Sequence, residues 1–153
     1  MKYTIVPNKD SGICFKDLPV GEWFITECNT LYMKIYDILS DDTVEGVCNI
    51  INPIGCLSYK SEGTKVKKCK VELHINETLG GENERVMVAI QSLYIGDIFL
   101  RENDYFIVTN FKCKENKVYC VNLRTGALNV CLFNTYVIRI PIDKIELRAS
   151  SVF

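Results

Sequence analysis

The stretch Phe15-Lys16-Asp17-Leu18-Pro19-Val20-Gly21-Glu22-Trp23-Phe24 returns later in the chain as Ile90-Gln91-Ser92-Leu93-Tyr94-Ile95-Gly96-Asp97-Ile98-Phe99. Leu18, Gly21 and Phe24 match Leu93, Gly96 and Phe99 at one spacing, and an acidic residue follows each glycine. The spacing is 75 at Gly21/Gly96 and 71 at Gly55/Gly126, Leu57/Leu128, Thr64/Thr135 and Val66/Val137. The change falls across a hairpin turn and a polar loop, where altered length costs little closure entropy. The reading is a chain of two copies of one small β unit, 1–76 and 77–153.

Both units consist of short β-branched and aromatic runs at roughly 8–12-residue spacing, closed by Gly, Asn, Asp and Pro. In the first unit the strands are expected at 22–26, 31–36, 47–51, 56–59 and 65–75, with a polar loop at 37–46. The second unit repeats them at 96–100, 105–109, 118–123, 127–132 and 135–142, with a tail strand at 143–148. Tyr3-Thr4-Ile5-Val6 reads as an added edge strand of the first unit, and residues 76–83 as the linker. No long window carries helical periodicity. The expected fold is all-β, a tandem duplication of a five-stranded SH3-like or OB-like barrel, because closing a sheet removes its exposed edges. A unit this small buries only about 60% of its unfolded surface, so the two should pack together as a pseudo-two-fold pair.

Composition narrows the function classes. A net charge of −1 does not favour non-specific phosphate binding, which draws on a basic excess. The N-terminus lacks the apolar run of a signal peptide, and no segment approaches the roughly 20 apolar residues of a membrane span. A cytoplasmic protein with no membrane partner is expected. Its eight cysteines, Cys14, Cys28, Cys48, Cys56, Cys69, Cys113, Cys120 and Cys131, should therefore be reduced and mostly buried as small hydrophobes. No C-x-x-C occurs and the sole histidine, His74, has no partner histidine, so no metal or cofactor is expected. His74 alternates with Val71, Leu73 and Ile75 and should face solvent. No phosphate loop and no spaced carboxylate set appears, so no catalytic residue is assigned and the chain is expected to be non-enzymatic.

Two surfaces stand out. Lys65, Lys67, Lys68 and Lys70, with Lys60 nearby, form the densest basic run. Such lysines either blunt an edge strand or contact a polyanion, with Tyr32, Tyr36 and Tyr59 available to stack bases. The matching stretch of the second unit, Tyr136-Val137-Ile138-Arg139-Ile140-Pro141-Ile142, is apolar where the first is basic. An exposed apolar strand suits docking to a partner protein or to a second copy as a homodimer, with Tyr94, Tyr105, Phe133 and Tyr136 as anchors.

The pattern Phe15-x-Asp17-Leu18-x-x-Gly21-x-x-Phe24, then Leu31-Tyr32-x-Lys34, then Val121-Asn122-Leu123-x-Thr125-Gly126, resembles small bacteriophage proteins of largely uncharacterised function. The first two parts lie in the first unit and the third in the second, together spanning most of the chain. The resemblance implies a compact β unit and a phage or prophage origin. By analogy it also implies a binder of host machinery, such as an inhibitor of CRISPR or another bacterial defence system acting in the host cytoplasm. It carries over no catalytic residue.

Overall fold

The structure, a computed structural model, describes residues 1–5, 12–36, 45–51, 54–76, 86–111 and 116–151. Most of the expected polar loop (37–44), most of the linker (77–83) and Cys113 lie outside these residues.

The fold is all-β. Its strands are β1 (Lys2–Ile5), β2 (Ile13–Cys14), β3 (Trp23–Ile25), β4 (Leu31–Tyr36), β5 (Glu45–Asn49), β6 (Leu57–Ser58) and β7 (Lys65–Ile75). They continue as β8 (Met87–Ala89), β9 (Ile98–Arg101), β10 (Asp104–Val108), β11 (Lys117–Asn122), β12 (Leu128–Leu132), β13 (Tyr136–Ile140) and β14 (Ile145–Ser151). Among the described residues the helical elements are single 3₁₀ turns at Phe15–Asp17, Ile90–Ser92 and Ile142–Lys144.

One sheet runs β1-β14-β7-β3-β4-β5-β6, with β2 also bonded to β7; the other runs β12-β11-β10-β9-β13-β8. The path β2-β7-β3-β4-β5-β6 has the same order of connection as β8-β13-β9-β10-β11-β12. Local bonds follow suit. The Phe15 N–H donates to Thr64 O and the Ile90 N–H to Thr135 O, each at 2.8 Å. Gly21 N–H donates to Lys34 O at 2.7 Å, and Gly96 N–H to Val108 O at 2.8 Å. The ion pair Lys68–Glu22 (3.4 Å) has its counterpart in Arg139–Asp97 (3.9 Å).

The expected barrel closure is not made: β6 and β12 each end a path among the described residues. Side-chain alternation shows why an open sheet suffices here. Ile25, Leu31, Met33, Ile35, Cys48 and Cys69 enter a core shared with Ile98, Ile107, Val121 and Leu128 of the other sheet. The opposite face carries Phe24, Val47 and Val66, covered by Phe15 and Leu18 from the first 3₁₀ turn and its end. In the second sheet Phe99, Val108, Cys120, Cys131 and Val137 pack on Ile90, with Leu93 partly buried beside them. One face of each sheet is thus covered by the chain's own turn and part of the other by the opposite sheet. Aromatic stacks mark the two local cores, Phe24–Tyr32 at 5.4 Å and Phe99–Phe106 at 5.3 Å between centroids.

Two expectations about strands need correcting. The tail strand crosses to the first sheet, antiparallel to β7 from Ile145↔Ile75 to Ser151↔Cys69, and its Ile145, Leu147 and Ala149 join the shared core. Nor is β7 an edge strand. Its length lets it bond β2 and β14 in succession along one flank, and β3 pairs with Lys67–Cys69 on the other. The edge on this side is β1, parallel to β14.

The sheets also meet through backbone. Tyr36 N–H donates to Gly126 O (3.0 Å) and Asn110 N–H to Gly55 O (3.1 Å). Gly126 (φ +75°) presses on Gly21, and Gly55 (φ +83°) on Gly96. A Cβ on Gly126 would lie 2.8 Å from Gly21 Cα, and one on Gly55 would run into Val108 O.

Candidate partner-binding face

A row of apolar side chains crosses the second sheet. Leu123 N–H donates to Tyr105 O at 2.9 Å, Tyr105 pairs with Leu100, Leu100 with Ile138, and Ile138 with Met87. Directly paired residues share a face of the sheet. The row starts in the shared core, where Leu123 is buried and Tyr105 packs against it. It ends at Met87, which is 60% exposed. One row further out Tyr136, 64% exposed, pairs with Ala89. Met87, Ala89, Leu100, Tyr136 and Ile138 thus make an apolar strip continuous with the interior. It lies beside β8, the last strand of its path.

The first sheet treats the corresponding positions differently. At spacings of 75 and 71, Ile25, Lys67 and Gly12 stand where the second sheet has Leu100, Ile138 and Met87. A lysine and a glycine replace two large apolar side chains. Chemically, the strip offers apolar contact and an edge whose backbone groups can pair with an extended segment.

The four expected anchors are not brought into one patch. Tyr136 lies on the strip and Tyr105 at its inner end, half-buried, where with Trp23, Val71 and Leu73 it lines a cleft of about 230 Å³ between the sheets. Tyr94, 77% exposed, occupies the turn after Ile90–Ser92, where its N–H donates to Asp97 Oδ2 at 2.9 Å. Phe133 is half-buried, with its N–H on Asn116 O. Ile138 belongs to the apolar stretch that the sequence singled out, whereas Met87 and Leu100 are additions that sequence reasoning passed over, because strand pairing rather than spacing assembles them.

The basic run is partly neutralised. Lys68 pairs with Glu22 and Lys70 with Glu72 (3.8 Å), while Lys65 Nζ reaches Cys14 Sγ at 3.5 Å. Lys67 is half-buried. Lys60 lies off the strand, its Nζ 4.4 Å from the Tyr32 ring centre. His74 is exposed and within 3.2 Å of Glu72.

One buried cation was not anticipated. Lys34 has 0% exposure; its Nζ donates to Phe15 O (2.8 Å) and Leu18 O and lies 4.4 Å from the Phe15 ring centre. In the second sheet Val108 takes its backbone place, bonded to Gly96 and Asp97 as Lys34 is to Gly21 and Glu22. The sequence signal was a lysine inside an otherwise apolar strand. Asp104 and Arg124 line the cleft as an ion pair. Hydrogen bonds from Arg124 (2.8 and 3.0 Å) and Asn122 (3.1 Å) hold the Asp104 carboxyl down at about 2.

Of the cysteines, Cys48, Cys69, Cys120 and Cys131 are buried, Cys14 and Cys56 half-buried and Cys28 exposed. Burial pushes Cys48 up to about 12 and Cys69 to about 11. Among the described residues no group of three or more His, Cys, Asp or Glu side chains is arranged to hold a metal ion. No helix there is long and apolar enough to cross a membrane. No protein family, curated protein or solved structure matches the chain.

Proposed function

We propose that the chain is a non-enzymatic binding protein, a tandem pair of one SH3-like or OB-like unit whose second copy carries the contact surface. The shared order of strand connection supports the duplication, since two unrelated sheets have no reason to repeat it. The observation that carries the binding role is the strip of Met87, Ala89, Leu100, Tyr136 and Ile138, half-buried along its middle and exposed at Met87 and Tyr136. An apolar patch that stays in contact with water is a standing cost unless a partner covers it. In keeping with the phage resemblance, the partner is a host protein, and bacterial defence complexes, CRISPR effectors among them, are the first class to test.

The experiment is affinity capture from host lysate with the native chain and with Met87→Asp/Tyr136→Asp. The reading expects one protein retained by the native chain and lost by the variant, with the two circular dichroism spectra superimposable. Equal capture by both removes the strip from the account. Retention on a polyanion column that weakens with salt and disappears in Lys65→Glu/Lys67→Glu would instead favour nucleic acid as the partner.

A further inference from the structure

Cys120 on β11 and Cys131 on β12 point into the local core of the second sheet with their sulfurs 3.9 Å apart. They are diagonal neighbours, since Cys120 pairs with Asn129 and Cys131 with Val118. Arg101, half-buried on β9, reaches over the same face and donates from Nη1 to Cys131 Sγ at 3.2 Å. No sulfur–sulfur contact of this kind joins other thiols among the described residues. A guanidinium aimed at one sulfur of a pair selects that sulfur as the thiolate.

We propose that Cys131 and Cys120 form an oxidation site for a small hydroperoxide, with Cys131 as the attacking thiol and Cys120 as the resolving one. In the first step the Cys131 thiolate attacks the terminal peroxide oxygen. An S–O bond forms, the O–O bond breaks, sulfur loses two electrons, and the departing alkoxide or hydroxide takes a proton from water. In the second, the Cys120 sulfur attacks the Cys131 sulfenic acid; the S–S bond forms, the S–O bond breaks, and water leaves with the Cys120 proton. Both side chains are buried, Cys120 at 0% and Cys131 at 4% exposure, which restricts the oxidant to the size of hydrogen peroxide.

The charges around the pair favour this assignment. The Cys120 hydrogen bond and the Arg101 guanidinium lower the Cys131 thiol below its ordinary range, and burial with Glu102 opposes them. Cys120 moves up, through its bond to Cys131 and through burial, and so stays protonated until the second step. Closing the bond brings the sulfurs to about 2.05 Å. Diagonal neighbours start with backbones roughly 7–8 Å apart, so the strands must shift. Among the described residues the outermost strand of the path, β12, has its one ladder with β11, and the isolated bridge Tyr36↔Ala127 ties it to the other sheet only at its start, away from Cys131.

The test is a titration of the native full-length chain with hydrogen peroxide, followed by site-resolved mass spectrometry. The first two thiols consumed should be Cys120 and Cys131, recovered as one linked peptide. In Cys120→Ser a dimedone adduct should collect on Cys131. Arg101→Met changes a half-buried position and keeps the test open if a cysteine variant fails to fold. It should slow oxidation severalfold at pH 6 and progressively less as pH rises past the ordinary thiol value of roughly 8.5, because it removes thiolate only where an ordinary thiol is protonated. Earlier loss of Cys14 or Cys28 with the pair still reduced would overturn the proposal, as would an Arg101→Met rate equal to the native one at pH 6.

Discussion

Replacing Lys34 by Met keeps the reach of the side chain and removes its donors. The Phe15 carbonyl retains the Leu18 N–H at 3.1 Å, whereas the Leu18 carbonyl loses the ammonium from a buried site. The expected cost is about 1–3 kcal/mol, the usual penalty for a stranded buried acceptor, read as a lower urea midpoint at unchanged slope. A midpoint equal to the native one would deny Lys34 its role as the pin of the first 3₁₀ turn. Asp104 gives a pH signature at this scale. Its folded carboxyl sits at about 2, below the ordinary value of 3.8, so its contribution is present above about pH 4 and lost as pH falls through about 2. The stability difference between the native chain and Asp104→Asn should shrink over that window; a difference unchanged at acid pH would contradict it. The residues that decide the fold were legible in the sequence: Leu18, Gly21 and Phe24 occupy the places that Leu93, Gly96 and Phe99 occupy in the other half. Lys34 was not, because alternation alone marks a strand lysine as solvent-facing, and only the folded-back turn supplies its carbonyls.

At the scale of elements, the glycines after the strands join the halves. Gly126→Ala and Gly55→Ala each force a side chain into a left-handed backbone and into contact with the opposite sheet's backbone. The left-handed conformation alone costs roughly 1–2 kcal/mol, and the contact adds to it. Both variants should lose well over 1 kcal/mol in chemical denaturation, while Gly63→Ala, with nothing within 4 Å, should behave as the native chain. Similar midpoints for all three would mean that the sheets do not meet as described. Strand positions were largely readable from turn residues and alternation. The crossing of β14 was not: its sequence fits any half-buried strand, and the long free flank of β7 that receives it appears only once pairing is known. Closure into barrels failed for the same reason, since local spacing carries no record of which sheet will cover a face.

At the scale of the whole molecule, two sheets with the same order of connection differ on one face. The first carries Lys67 and Gly12 where the second carries Ile138 and Met87, and the proposed function rests on this difference. The contrast between a basic and an apolar stretch could be read from the sequence, but the strip itself could not, because Met87, Leu100 and Ile138 lie far apart along the chain. The most direct measurement places a photo-crosslinking amino acid at position 136 and, in a separate chain, at Tyr59, which is as exposed but directly follows β6 of the other sheet. After irradiation in host lysate, one discrete adduct at position 136 and none at position 59 is the predicted result. No adduct at 136, or the same adducts at both positions, would contradict a partner-binding face on the second sheet.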